Sequence, residues 1–193
     1  MTMLVLGLVL FLGVHSTRIV ADGWRTRTIA RIGEKPWKGL YALASVAAFA
    51  LVVWGYGQAR QNPVVLWTSP AGMKHLSALL MAVALVMLVA TYVPGNGIKA
   101  RLRHPMLLSV KVWAVAHLLA NGTLADLLLF GGFLAWAVLC FRSARQRDRA
   151  SGVVYAPGRT GPTLVAVGLG MALWAALVMG GHAWLFGVRP LGV

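Results

Sequence analysis

Five histidines, His15, His75, His104, His117 and His182, are the residues of this 193-residue chain best equipped for chemistry. Imidazole is the commonest metal ligand and titrates near neutral pH. Two histidines on different helices can also hold a haem iron from opposite faces, with no thiolate or carboxylate beside them. Zinc and di-iron chemistry have less to work with. The chain has four carboxylates, Asp22, Glu34, Asp126 and Asp148, and one cysteine, Cys140. Carboxylate- and thiolate-rich sites need more ligands than that. Cys140 has no disulfide partner and reads as a small apolar filler.

The surroundings of each histidine narrow its role. His15 lies in GVHST, near the end of the first apolar run, and His117 lies inside another, in VWAVAHLLANG. A polar group within a bilayer is costly, so each needs a partner or a function. Asn121, four residues after His117, shares its helical face. Its side chain is placed to hydrogen-bond the second ring nitrogen and fix the tautomer, or else Asn121-Gly122 is simply a helix stop. His104 follows Arg101 and Arg103 and precedes Pro105, so it reads as the start of a helix facing head groups. Arg103 and Lys111 could join it around an anion. His104 and Lys111, seven apart, share a face, whereas His117, thirteen from His104, points roughly the other way. One helix is therefore not expected to give both axial ligands. His75, beside Lys74, reads as interfacial, and His182 as a reserve ligand.

The elements that must position these groups are membrane helices. Hydrophobic residues make up 59%, charged residues 11%, and mean hydropathy is +0.76, whereas soluble domains carry about 25% charged residues. Uncharged runs cover 1–17, 39–59, 75–98, 127–141 and 160–188, and a sixth, 105–122, is interrupted only by Lys111. The expected fold is all-α: one integral membrane bundle of about six transmembrane helices over 1–193. Its spans lie roughly at 2–17, 39–59, 74–94, 105–122, 124–141 and 162–187. The first run lacks a preceding positive charge and a small-x-small cleavage site, so it reads as a retained span. Gly168 with Gly170, and Gly180 with Gly181, read as close-packing positions.

A net charge of +14 would suggest nucleic acid in a soluble protein, but here the basic residues fall between apolar runs, so no nucleic acid partner is expected. Fifteen belong to the odd-numbered connections: Arg18, Arg25, Arg27, Arg31, Lys35 and Lys38; Lys99, Arg101, Arg103 and Lys111; and Arg142, Arg145, Arg147, Arg149 and Arg159. Only Arg60, Lys74 and Arg189 lie on the other side. The positive-inside rule then places the odd connections in the cytoplasm and both termini outside it, in a multi-pass protein of the cytoplasmic membrane. This topology sets His15 near the inner end of its span and His117 toward the outer end of its own. The stretch from Ile19 to Trp37 reads either as an interfacial helix or as a solvated loop. Pro63, Trp67, Pro70 and Gly72 mark an outer, turn-rich connection.

Three strings, GVHSTRIVADGWRTRTIARIGEKPWKGLYALAS, RHPMLLSVKVWAVAHLLANGTLADLLLFGGFLAW and GHAWLFGVRPL, resemble the NnrU family of bacterial membrane proteins over nearly the whole chain. The block from RHP to AHLLANG is the most specific. That family is linked to nitrite and nitric oxide reduction in denitrifiers and is similar to 15-cis-zeta-carotene isomerase. The resemblance implies haem b with two histidine ligands, falling on His15 and His117. It also implies that reduction frees one axial position so that the iron acts on a polyene. The function it suggests is an isomerase- or oxidoreductase-like activity on an apolar polyene or isoprenoid taken from membrane lipid. The alternative is an accessory or sensing protein of nitrite and nitric oxide reduction without turnover of its own. Other pairings are His117 with His182 or His75, and His15 with His104. The isomerase has a cysteine three residues before its second ligand, where this chain has Ala114, so a thiolate switch by that route is absent.

Overall fold

The computed structural model describes residues 1–192, which are helical almost throughout. In chain order the helices are α1 (Thr2–His15), α2 (Thr17–Val20), α3 (Asp22–Ile32), α4 (Glu34–Ala59), α5 (Met73–Tyr92), α6 (Gly97–Leu102), α7 (Pro105–Ala120), α8 (Leu124–Ala150), α9 (Thr160–Ala176) and α10 (His182–Phe186). A π-helical turn, Leu177–Gly181, joins α9 to α10. Four segments are long and apolar enough to cross a membrane: α4, α5, α8, and α9 with its continuation to Phe186. The apolar α1 and α7 are shorter, at 14 and 16 residues. They measure about 21 and 24 Å, against a hydrocarbon core of about 30 Å. Leu43 and Val46 on α4 are 69% and 67% exposed. A surface with many such residues is stable only when lipid covers it.

The six apolar helices pack in a row, α4–α1–α8–α7–α5–α9. Small residues set its tightest contacts. A Cβ on Gly7 would lie 2.7 Å from the Val52 nitrogen, and one on Gly55 would lie 2.3 Å from the Leu4 nitrogen, so glycine lets antiparallel α1 and α4 touch along their backbones. Gly170 does the same for α9 against Val86 of α5. Gly168 faces open space, and Gly180 serves a different end: its φ of +150° breaks the helix at the π turn, where a side chain would be strained. Local signals fix the starts. Pro105 opens α7, and Thr123 with Asp126 forms a capping box on α8.

Several bounds differ from the sequence expectation. α4 begins at Glu34 rather than 39, because Gly33, at φ +89°, stops α3 immediately before it. α8 runs on to Ala150 through an arginine-rich tail whose residues favour helix outside lipid as well. Most of the stretch after α1 is helical, as α2 and α3, and Trp24 of α3 meets Trp37 of α4 with ring centroids 5.6 Å apart.

The odd-numbered connections share one end of the row, called the basic end here. There Arg159 N donates to the Gly95 carbonyl and Gly97 N donates to Thr163 Oγ1, both at 2.8 Å. At the opposite, sparse end the loop after α4 lies along the α7–α8 connection. Leu66 N donates to the Gly122 carbonyl and Leu124 N donates to the Val64 carbonyl, each at 2.8 Å. Gly122 is thus more than a helix stop, because a Cβ there would sit 1.9 Å from the Trp67 oxygen.

Candidate functional site

His15 closes α1. Its Nδ1 lies 2.7 Å from the Phe11 carbonyl of the preceding turn. A carbonyl only accepts, so Nδ1 carries the proton and Nε2 keeps its lone pair. The ring packs on Phe11 at 4.2 Å and meets Tyr41 and Trp136 edge-on. Beside it a cavity of about 580 Å³ opens at the basic end, bordered by Arg18, Arg25, Lys38, Glu34, Trp37 and Tyr41, with Lys38 paired to Glu34 at 2.7 Å.

His117 repeats the arrangement on α7, with Nδ1 donating to the Trp113 carbonyl at 2.8 Å. The bond that sets the tautomer thus comes from the helix backbone. Asn121 Nδ2 instead donates to the His117 carbonyl at 2.9 Å, which holds the last turn of α7 rather than the ring. The imidazole stacks on Phe130 at 4.5 Å.

The two helices run in opposite directions, since α8 is parallel to α1 and antiparallel to α7. Side chains lean toward the N-terminus of their own helix, so His15 and His117 lean toward one another in depth. His15 sits level with Trp136 of α8 and His117 with Phe130. Six residues of helix correspond to about 9 Å. The depth difference expected from topology is therefore two turns or less, and both rings lean to reduce it. They do not meet. Phe11, Phe133 and Trp113 form a continuous aromatic layer between them, with centroid steps of 5.7 and 5.5 Å.

His117 also borders a cavity of about 330 Å³ at the sparse end, together with Ser77, Asn121 and His182. His182 donates from Nδ1 to the Val188 carbonyl at 2.7 Å, again leaving Nε2 free. His75 is exposed. Of the alternative pairings, the structure brings His117 and His182 to one cavity, whereas His15 and His104 belong to separate surroundings.

His104 departs from its expected role. It is the N-cap of α7, outside the helix, so the 100° arithmetic that turned it away from His117 does not apply. Its Nε2 lies 2.9 Å from Asp148 Oδ2 on the tail of α8, and Tyr155 donates to the same oxygen at 3.1 Å. Burial, and then the bond to Asp148, raise the Tyr155 phenol above its ordinary value. The expected anion cluster does not form: Lys111 Nζ lies 3.9 Å over the Phe141 ring, and Arg103 lies 5.5 Å over Tyr155. Arg103 has φ +65° and ψ −50° and is spanned by a hydrogen bond from His104 N to the Leu102 carbonyl, a strained γ-turn.

The family model described as NnrU protein matches residues 3–190. The chain belongs to the NnrU family. Comparison with curated proteins and with solved structures gives no match.

This NnrU protein therefore presents single histidines poised as donors. Among the described residues, no three of His, Cys, Asp and Glu cluster as a metal site would require. The donor chemistry, a single imidazole on each of the two helices that flank α8, suits a porphyrin better than a bare ion, but the aromatic layer fills the space that a porphyrin held by both would need. Sequence reasoning missed Asp148 and Tyr155, and also Tyr56, whose hydroxyl donates to Asp126 at 2.6 Å. The scarcity of carboxylates was the available signal, since an acid in so basic a chain is bound to find a partner.

Proposed function

We propose that this NnrU protein binds haem b in the bacterial cytoplasmic membrane, with His15 and His117 as axial ligands. The observation that carries the reading is the shared clasp: on two antiparallel helices a backbone carbonyl one turn back holds Nδ1–H and leaves Nε2 to coordinate. When bound, haem would supply a redox-active iron able to act on a double-bond system. Arg18 would pair with a propionate, whereas Arg25 and Lys38 beside it are paired with Asp22 and Glu34. Phe11, Phe133 and Trp113, which fill the space between the two rings, would have to turn aside to admit the porphyrin and would then line it and exclude water. Asn121 and His104 act as positioning residues, holding the end and the start of α7. We take α1 and α7 as spans, which makes six in all, with the basic end in the cytoplasm and both termini outside.

The substrate in this reading is an apolar polyene or isoprenoid arriving from lipid, converted by isomerase-like chemistry. The alternative is an accessory or sensing part in nitrite and nitric oxide reduction. It would give a nitric-oxide-dependent spectral change without polyene turnover.

The test is the absorption spectrum of purified protein from haem-replete cells, oxidised and reduced. A Soret band that is lost in both His15→Ala and His117→Ala, and kept in His182→Ala and His75→Ala, supports the assignment. Colourless wild-type protein overturns haem binding. Loss of haem in His182→Ala with retention in His15→Ala overturns the pairing.

A further inference from the structure

The sparse end carries only three basic side chains, and two of them, Lys74 and Arg189, border the mouth of the 330 Å³ cavity. The third, Arg60, is engaged with the Phe186 carbonyl and the Tyr56 ring. No acidic side chain answers the pair at the mouth. All four carboxylates of the chain are held elsewhere: Asp22 by Arg25, Glu34 by Lys38, Asp126 by Tyr56 and Thr123, and Asp148 by His104 and Tyr155. A bound anion would supply the charge that no side chain supplies here.

Below the mouth the lining changes character in order. On α5 it runs from Lys74 through Ser77 to Met81 and Leu85. Eleven residues of helix correspond to about 16 Å of depth. Trp174 closes the opposite wall, fixed by its Nε1 donating to the Ala78 carbonyl at 2.7 Å. Ser77 is the telling residue. It is 6% exposed and its hydroxyl has no hydrogen-bond partner, whereas Ser109 on the facing helix donates to the Ala84 carbonyl at 2.7 Å. A buried hydroxyl left unpaired calls for a partner that the protein does not supply.

We propose that this cavity binds a single-chain amphiphile with an anionic head, a carboxylate or a phosphate. The head lies between Lys74 and Arg189, one of its oxygens accepts from Ser77, and the apolar chain descends past Trp174 along Met81 and Leu85. The cavity shares His117 and Asn121 with the haem reading, but the head-group site proposed here is made by Lys74, Ser77 and Arg189, which take no part in that reading.

The experiment is equilibrium binding of radiolabelled dodecanoate, dodecyl phosphate and dodecanol to the full-length protein in maltoside micelles, with inorganic phosphate as competitor. The anionic amphiphiles should bind about tenfold more tightly than the alcohol, as two partly solvated ion pairs would give. Inorganic phosphate should not displace them. The Lys74→Ala/Arg189→Ala variant, altered at exposed positions that do not threaten folding, should lose that preference. Ser77→Ala should weaken anion binding about threefold. Whether carboxylate or phosphate binds better identifies the head group. Equal affinity for alcohol and anions, an unchanged preference in the double variant, or displacement by inorganic phosphate overturns the proposal. The same measurement on His15→Ala protein should show amphiphile binding intact, so failure of the haem reading and failure of this one are distinguishable.

Discussion

The two ends of α8 each hold a carboxylate that accepts from a tyrosine, but they do so in opposite settings. Asp126, 5% exposed, sits in the first turn, where the helix dipole favours its charge. It takes Tyr56 on one oxygen and the Thr123 backbone and hydroxyl on the other. Phe130, one turn on, stacks on His117 and meets Tyr56 edge-on. Asp148 sits near the last turn, where the dipole opposes its charge and arginines offset it, and it shares one oxygen between His104 and Tyr155. The Asp148 end grips the start of α7 at His104, whereas the Asp126 end grips α4 through Tyr56. The difference teaches that the grip at Asp126 is a buried cap tied to α4, whereas the grip at Asp148 is a more open latch between the tail of α8, the start of α7 and Tyr155.

The largest effect should separate these two. Asp126→Ala should lower stability by about 3 kcal/mol, combining a lost cap with a stranded buried hydroxyl on Tyr56. Thermal unfolding in detergent checks this, and Asp148→Ala should give less than half that loss. Equal losses would break the comparison. Thr123→Ala removes only half of the capping box and should cost about 1 kcal/mol by the same measurement. Arg103→Gly should act in the other direction. Relief of the strained γ-turn should raise stability by about 1 kcal/mol, and an unchanged midpoint would mean that the stacking of Arg103 on Tyr155 offsets the strain. The smallest effect is one of pH. The folded-state pKa of Tyr155 is raised, so its contribution is complete below its unfolded value of about 10 and falls away as pH rises through the folded value. Tyr155→Phe should therefore flatten the alkaline loss of stability, measured as the difference in midpoint between pH 9 and pH 11. A slope identical to wild type would show that the latch is not closed by this phenol.

Much of this architecture was legible because lipid makes composition informative. Six apolar segments, the proline that opens α7 and the clustering of arginines all follow from short stretches of sequence. What was not legible depends on contacts far apart in the chain. His104 meets Asp148 across 44 residues, and no local pattern announces it, since an arginine-rich tail looks solvated until its one acid is seen to point inward. Asn121 was placed correctly beside His117 but on the wrong atom. The spacing i, i+4 brings the side chain near the whole residue, and the His117 carbonyl, which already accepts Asn121 N at 2.9 Å, has a second lone pair free for the side-chain amide. His15 and His117 could be singled out by position, whereas the aromatic layer between them needed three helices in place.

The row of helices also bears on how the site comes into being. α1 with α4 and α5 with α7 are hairpins of neighbouring apolar segments, each able to pair soon after synthesis, and α8 is the element that packs against both. His15 rides on the first hairpin and His117 on the second. A nascent chain that has emerged only through α7 would thus hold its two poised histidines on separate units. Insertion of α8 would be the event that joins them, so the haem binding proposed above would follow it as a late step in biogenesis.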